Sequence, residues 1–277
     1  MRFAVPSVCT IAGTDPTGGA GIQADLKTFQ EREAYGMSVV TSIVAQNTLG
    51  VQDIEHLPVD FIDAQLQSVF ADITPDVVKT GMIAKGEMME LIGEHLKREQ
   101  IPYVIDPVMI AKSGDALMDA SSQDILRNEL IPLATIVTPN IPEAEILLNT
   151  KIDTLDDMEY ASKRIVTDLG AQAAIVKGGH SEEAPVDVLF DGKEIHYFDA
   201  KRIRTKHTHG TGCTFSACIA AELAKGENIS AAVSIAKKYI TSAIYYSLKI
   251  GRGNGPTNHW GMRLKEVPTK QASSCRK

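Results

Sequence analysis

The chain has 277 residues, with 28 Lys and Arg against 35 Asp and Glu for a formal net charge of −7; 44% of residues are hydrophobic and only 5% aromatic. That length and apolar content sustain a large core without disulfide or metal staples and exclude a mostly disordered chain. The acidic balance gives no electrostatic reason to expect nucleic acid or an anionic membrane as partner, so the expectation is a small-molecule protein.

Four cysteines, Cys9, Cys213, Cys218 and Cys275, form no C-x-x-C pair and no zinc-finger spacing, which points to reduced thiols and a cytoplasmic location. The apolar start is not read as a signal sequence, because its only basic residue is Arg2 and Pro6 interrupts the run. No segment approaches the ~20 apolar residues of a membrane span.

In chain order, β-branched runs at 7–12, 38–45, 76–79, 103–105, 135–138 and 173–176 predict strands. Most are continuously apolar, as strands covered on both faces are, which predicts a mainly parallel sheet. Helical periodicity fits 22–32, 61–70, 87–99, 122–130, 156–169, 213–225 and 230–248. The alternation predicts a three-layer α/β/α sandwich. Two runs, 186–190 and 194–198, flank Asp191-Gly192, a dipeptide that favours a tight turn, so an antiparallel hairpin is expected near one sheet edge. No linker or repeat interrupts residues 1–260, which are expected to form a single domain; 261–277 is expected to be a flexible, basic tail.

The first strand runs into Gly13-Thr14-Asp15-Pro16-Thr17-Gly18-Gly19-Ala20-Gly21 and then a helix, so free backbone N–H groups are expected to face a cleft and cradle an anion or a polar ring. A Walker A loop is excluded, since Gly13…Gly18 is followed by Gly19-Ala20 rather than Lys and Ser/Thr. Residues Gly19 to Ala24 do satisfy G-x-G-x-x-A, the pattern of an NAD(P)-binding oxidoreductase. Against that reading, the second strand ends in Ala45-Gln46-Asn47 with no carboxylate for a ribose.

A second glycine-rich turn, His209-Gly210-Thr211-Gly212-Cys213-Thr214, opens an Ala-rich helix. Its glycines permit close approach of a ligand, and the helix N-terminus can stabilise charge on a phosphoryl group in transfer. At the helix start, Cys213 is expected to have a lowered thiol pKa, while Cys218 reads as core. Asn140 and Glu143 give an N-x-x-E spacing suited to holding magnesium through water, or equally an ordinary Pro-initiated helix start. Lys177 precedes Gly178-Gly179-His180, a cation beside a turn that can meet a phosphate. His207 and His209 are closely spaced but lack a third ligand, so His209 is assigned to the second loop; His56, His95 and His196 are expected on the surface.

Together these motifs make the sequence similar to the ribokinase-like superfamily and, within it, to the hydroxymethylpyrimidine/phosphomethylpyrimidine kinases. The resemblance runs from about Val8 to about His259 and includes the stretch from Thr10 to Lys27, Val44-Ala45-Gln46-Asn47-Thr48, Lys79-Thr80-Gly81-Met82, Asp106-Pro107-Val108-Met109, Ala111-Lys112-Ser113-Gly114, Thr138-Pro139-Asn140, Lys177-Gly178-Gly179-His180 and the His209–Thr214 loop. It implies an ATP- and magnesium-dependent kinase of thiamine biosynthesis, acting on 4-amino-5-hydroxymethyl-2-methylpyrimidine and then on its monophosphate, and a homodimer. Wider relatives carry Asp as base in a G-x-G-D loop; here Cys213 stands at that position, with Gly210, Thr211 and Gly212 as the phosphoryl loop. The resemblance further implies a pyrimidine site of Gly13, Asp25, Val44, Gln46, Met82 and Val108, with Asp25 near the hydroxymethyl group. The planar amide of Gln46 can both donate to and accept from an aminopyrimidine. Asn140, Lys177, Asp106 and Lys112 are implied for ATP and Glu143 for magnesium, with 109–115 as a mobile flap excluding water. A pyridoxine or pyridoxal kinase of the same fold is the alternative, and a dinucleotide-dependent oxidoreductase a more remote one.

Overall fold

The computed structural model describes residues 5–109, 118–179 and 185–264. Lys112, His180, Cys275 and nearly all of the expected flap therefore lie outside the described residues. The first strand, β1 (Ser7–Ala12), is buried along its whole length, as its unbroken apolar run predicts. It pairs in parallel with β2 (Tyr35–Val40) on one side and with β5 (Val77–Thr80) on the other. Parallel pairing continues from β5 through β6 (Tyr103–Ile105) and β7 (Ile136–Val137) to β8 (Ala174–Val176). The antiparallel hairpin of β9 (Asp187–Phe190) and β10 (Ile195–Phe198) completes an eight-stranded sheet at the edge where the Asp-Gly turn predicted it.

Successive strand residues alternate between two apolar layers. Cys9, Ile11, Val78, Ile105 and Val137 join the layer built with α2 (Val59–Asp72), α3 (Gly86–Glu99), α5 (Ile141–Leu148) and α6 (Leu155–Thr167). Val8, Val77, Val104 and Ile136 face α1 (Gly21–Glu31), α7 (Thr211–Ala224) and α8 (Ile229–Tyr245). The sandwich expected from the sequence is thus present.

Several local expectations need correction. The run 38–45 is not one strand: after β2, Thr41 donates its N–H to Ala12 O at 3.0 Å and accepts from Leu57 N–H at 3.0 Å, so it sits between two sheets. Beyond it β3 (Ser42–Asn47) pairs antiparallel with β4 (Gly50–His56) in a separate two-stranded sheet. The predicted helix 122–130 is α4 (Ala120–Ile125) followed by a wider π turn over Leu126–Leu130. His95 is buried, not superficial, because it lies three residues past Ile92 on the apolar face of α3; its ring meets Asp63 at 2.7 Å and Arg98 at 2.8 Å. Residues Gly261–Arg263 form a 3-10 turn with Gly261 buried, and Arg263 pairs with Glu31 at 2.6 Å, so ordered structure extends past residue 260.

Candidate active site

The chain leaves β1 toward β2 on one side and returns as β5 on the other, which makes the carboxyl ends of β1 and β5 a topological switch point, where open α/β sheets bind ligands. Residues singled out in the sequence follow the carboxyl ends of successive strands: Gly13 after β1, Met82 after β5, Asp106 and Val108 after β6, Asn140 after β7 and Lys177 after β8. The small sheet is stitched to this edge, since Thr14 donates its N–H to Ser42 O at 2.9 Å and its hydroxyl accepts from Val44 N–H at 2.9 Å. That brings Val44 and Gln46 to the mouth of the sandwich.

The first glycine loop folds around Asp15, whose carboxylate accepts the backbone N–H groups of Thr17 (2.8 Å), Gly19 (3.1 Å) and Ala20 (2.7 Å), the Thr17 hydroxyl (2.8 Å) and His209 Nε2 (2.8 Å). Burial pushes its pKa up, but the bonds from His209, Thr17 and the Gln46 side chain outweigh burial and hold it well below the usual carboxylate range. The expectation that this loop offers free amides is thereby corrected. The amides that would receive the pyrophosphate of a dinucleotide are already bonded to Asp15, which removes the oxidoreductase reading. Asp15 was not among the expected site residues; its sequence signal is an acidic residue opening a Pro-Thr-Gly turn, where Asx hydrogen bonding is favoured.

His209 carries the link into the second loop, and the two loops touch through backbone. Gly210, at φ +77°, caps α7, and a Cβ there would stand 1.7 Å from Gly19 O, so only glycine fits. Thr211 donates its hydroxyl to Thr208 O at 2.6 Å, and a Cβ on Gly212 would lie 3.1 Å from Asp106 Oδ2 and 3.7 Å from Lys177 Nζ. The N-terminus of α7 therefore stands directly over an anion–cation pair. Cys213, in the first turn, departs from expectation. Burial pushes its thiol up to about 12, against the lowering influence of Lys79, so desolvation overrides the helix-terminus effect.

Two ion pairs lie beneath these loops. Lys177 Nζ donates to Asp106 Oδ1 at 3.2 Å, and the Thr138 hydroxyl reaches the same oxygen at 3.3 Å. Deeper in, Lys79 Nζ (2.8 Å) and the Thr10 hydroxyl (2.6 Å) both donate to Asp25 Oδ2. Both side chains of that inner pair have no exposed surface, and among the described residues Asp25 Oδ1 is buried without a hydrogen-bond partner. Lys79 was another residue missed in the sequence.

Asn140 and Glu143 form a capping box on α5: Asn140 Oδ1 accepts from Glu143 N–H at 2.9 Å, and Glu143 Oε2 accepts from Asn140 N–H at 2.8 Å. Burial pushes the Glu143 carboxyl up to about 7, against the attraction of Lys177. The bonds described use Oδ1 of Asp106 and Oε2 of Glu143, which leaves the second oxygen of each carboxylate outside them; two hard oxygen donors beside Lys177 suit a hydrated divalent cation. Around the expected ring site, a Cβ on Gly13 would meet Met82 Cε at 2.6 Å, Val44 is buried, and Gln46 and Val108 are half-buried.

Comparison with known proteins places this geometry. A phosphomethylpyrimidine kinase family model matches residues 15–258. The chain is 54% identical to a hydroxymethylpyrimidine/phosphomethylpyrimidine kinase of Staphylococcus aureus over 260 residues, covering 93% of this chain and 94% of that one. Among solved structures, it is similar to a Bacillus subtilis pyridoxal kinase in an ADP complex, with a TM-score of 0.88 and 42% identity over 95% of this chain and all of that one. It is also similar to a phosphomethylpyrimidine kinase from Clostridium difficile, with a TM-score of 0.78 and 42% identity over 87% of this chain and all of that one.

Proposed function

The chain belongs to the phosphomethylpyrimidine kinase family, and on that premise we propose that it transfers the terminal phosphoryl group of ATP to 4-amino-5-hydroxymethyl-2-methylpyrimidine and then phosphorylates the monophosphate to the diphosphate, supplying thiamine biosynthesis. The observation that carries this reading is the seating of the α7 N-terminus, at Gly212, over the Asp106–Lys177 pair, with His209 of the same loop bonded to Asp15, which also meets the Gln46 side chain. Phosphoryl transfer depends chiefly on positioning and charge neutralisation, and those are what an oriented helix end, a lysine and a closed glycine turn provide.

In this reading Gln46 pairs with the ring nitrogen and exocyclic amine of the pyrimidine, while Gly13, Val44, Met82 and Val108 line its faces and Asp25 lies toward the hydroxymethyl group. The amides of Gly210, Thr211 and Gly212 receive the transferred group. Cys213 stands beside the attacking oxygen; with its thiol at about 12 it stays protonated at neutral pH, so it orients that oxygen by hydrogen bonding, and the hydroxyl proton passes to an oxygen of the transferred phosphoryl group. Lys177, Asn140, Asp106 and Lys112 hold ATP. Glu143 and Asp106 would hold a magnesium ion, Glu143 through water, and the ion would neutralise charge on the β- and γ-phosphates. One domain carries the whole reaction, as a cytoplasmic homodimer; among the described residues no helix is long and apolar enough to cross a membrane.

A second reading is favoured by the likeness to a pyridoxal kinase: phosphorylation of a vitamin B6 hydroxymethyl group on the same site. Steady-state assays with ATP and magnesium on both acceptors decide between them. The pyrimidine is expected to give the higher kcat/KM, with the margin lost in Gln46→Ala; a strong preference for pyridoxine in the unaltered protein overturns the proposal.

A further inference from the structure

The β3–β4 hairpin carries Gln46 but has only two strands, and a two-stranded ribbon is marginally stable in water. Where Gln46 stands therefore depends on what ties the hairpin to the rest of the chain. At its base the ties are the bonds of Thr14 to Ser42 and Val44. At its tip they come from residues 251–257, which follow α8. The Asn254 N–H donates to Thr48 O at 2.8 Å and the Gly253 N–H to the Thr48 hydroxyl at 3.1 Å. Thr48 lies two residues past Gln46, and the strand register shifts between Ala45 and Gln46, so Gln46 belongs to the part of the hairpin held from its tip. The approach is close: a Cβ on Gly253 would stand 1.9 Å from Thr48 O, and one on Gly251, at φ +79°, 2.3 Å from Thr48 Cγ2.

The same segment grips the second glycine loop. His209 donates its N–H to Gly255 O at 3.1 Å and accepts from Thr257 N–H at 3.2 Å, a parallel bridge centred on Pro256. Pro256 also packs on the first loop, where a Cβ on Gly19 would meet it at 2.8 Å. Adjacent residues thus bond to opposite sides of the crevice, Asn254 to the hairpin and Gly255 to the loop. Building on the assignment of Gln46 to the pyrimidine and of the 210–212 amides to the transferred group, we propose that residues 251–257 are a positioning strap that fixes the acceptor hairpin relative to the phosphoryl loop, with Gly253 setting the separation. The strap is the rigid partner in this contact. Residues 255–259 are buried and Asn258 donates its N–H to Ala243 O of α8 at 2.9 Å, whereas Asn47 and Leu49 at the hairpin tip are exposed.

The test is Gly253→Ala in the full chain. Because a Cβ contact below 3.0 Å is not sustained, the hairpin tip must yield by about 1 Å, a displacement expected to lower kcat/KM for the pyrimidine roughly 100-fold. The KM for ATP is expected to stay unchanged. Hydrogen–deuterium exchange read by mass spectrometry is expected to quicken in residues 42–56 and to stay as it was in β1 and α7. Thr48→Ala, which removes the acceptor of the Gly253 N–H, is expected to lower the same kcat/KM by about tenfold, with Thr48→Ser near the unaltered value. Unchanged exchange over 42–56 in Gly253→Ala, or equal losses toward both substrates, overturns the proposal. Where Gly253→Ala exchanges fast throughout and so fails to fold, the Thr48 variants decide: no loss in Thr48→Ala, or a loss that Thr48→Ser shares, overturns it. Exchange requires no turnover, so an unaltered protein without pyrimidine kinase activity overturns the proposed function and leaves the exchange test of the strap intact.

Discussion

Two lysine–aspartate pairs sit a few strands apart at the same end of one sheet, and they differ in their access to water. The Lys79–Asp25 pair is wholly enclosed, whereas Lys177 retains 16% side-chain exposure beside Asp106 at 3%. The outer pair is also looser, at 3.2 Å against 2.8 Å. A cation at the rim can exchange its carboxylate for a phosphate at little cost, because both states are partly solvated. The enclosed cation cannot, since removing its partner would strand a charge in the core. Similar chemistry placed at two depths thus yields one pair fit to grip a ligand and one fit to hold a field fixed.

Substitutions at the two lysines break this comparison most sharply. Lys79→Met strands Asp25 and is expected to lower unfolding free energy in urea by about 3–5 kcal/mol, the cost typical of removing one member of a buried pair. Lys177→Met is expected to lower stability by no more than about 1 kcal/mol while cutting kcat/KM for ATP by about 100-fold, measured by steady-state kinetics. Equal stability losses in the two variants would erase the distinction.

Smaller effects sharpen it further. Asp15 joins the two glycine loops, and its folded pKa lies below the unfolded value of about 3.9. A depressed acid contributes stability that is fully present above that unfolded value and is lost as pH falls through the folded one. Asp15→Asn is therefore expected to cost about 1–3 kcal/mol at neutral pH, with the difference from the unaltered protein shrinking in acid; urea titrations across pH check it. Smallest in stability is Gln46→Ala, at the mouth of the crevice: it is expected to change unfolding free energy by less than about 0.5 kcal/mol and to raise the pyrimidine KM by roughly tenfold.

The sandwich, the edge hairpin at Asp191-Gly192 and both glycine loops were legible in the sequence, because strand burial, turn chemistry and helix starts are local properties. The division at Thr41 was not, since it depends on Ala12 and Leu57 meeting one residue from two sheets. Cys213 shows the limit for the site: its place at a helix start is written in Gly210-Thr211-Gly212, but the burial that raises its pKa comes from the packing of α1 and β5 against α7. Asp15 and Lys79 were missed for a related reason, as each acts through residues distant in the chain. Lys79 nonetheless carries a signal, a charge inside the apolar run Val77-Val78, which on a buried strand demands a partner.

Phosphorus NMR of one reaction containing protein, magnesium, ATP and 4-amino-5-hydroxymethyl-2-methylpyrimidine would follow both phosphorylations of the aminopyrimidine in a single sample. The predicted result is a monophosphate signal that rises and then declines as a diphosphate appears, with ADP formed in step. ATP left unconsumed, or hydrolysed with no phosphorylated pyrimidine, would contradict it.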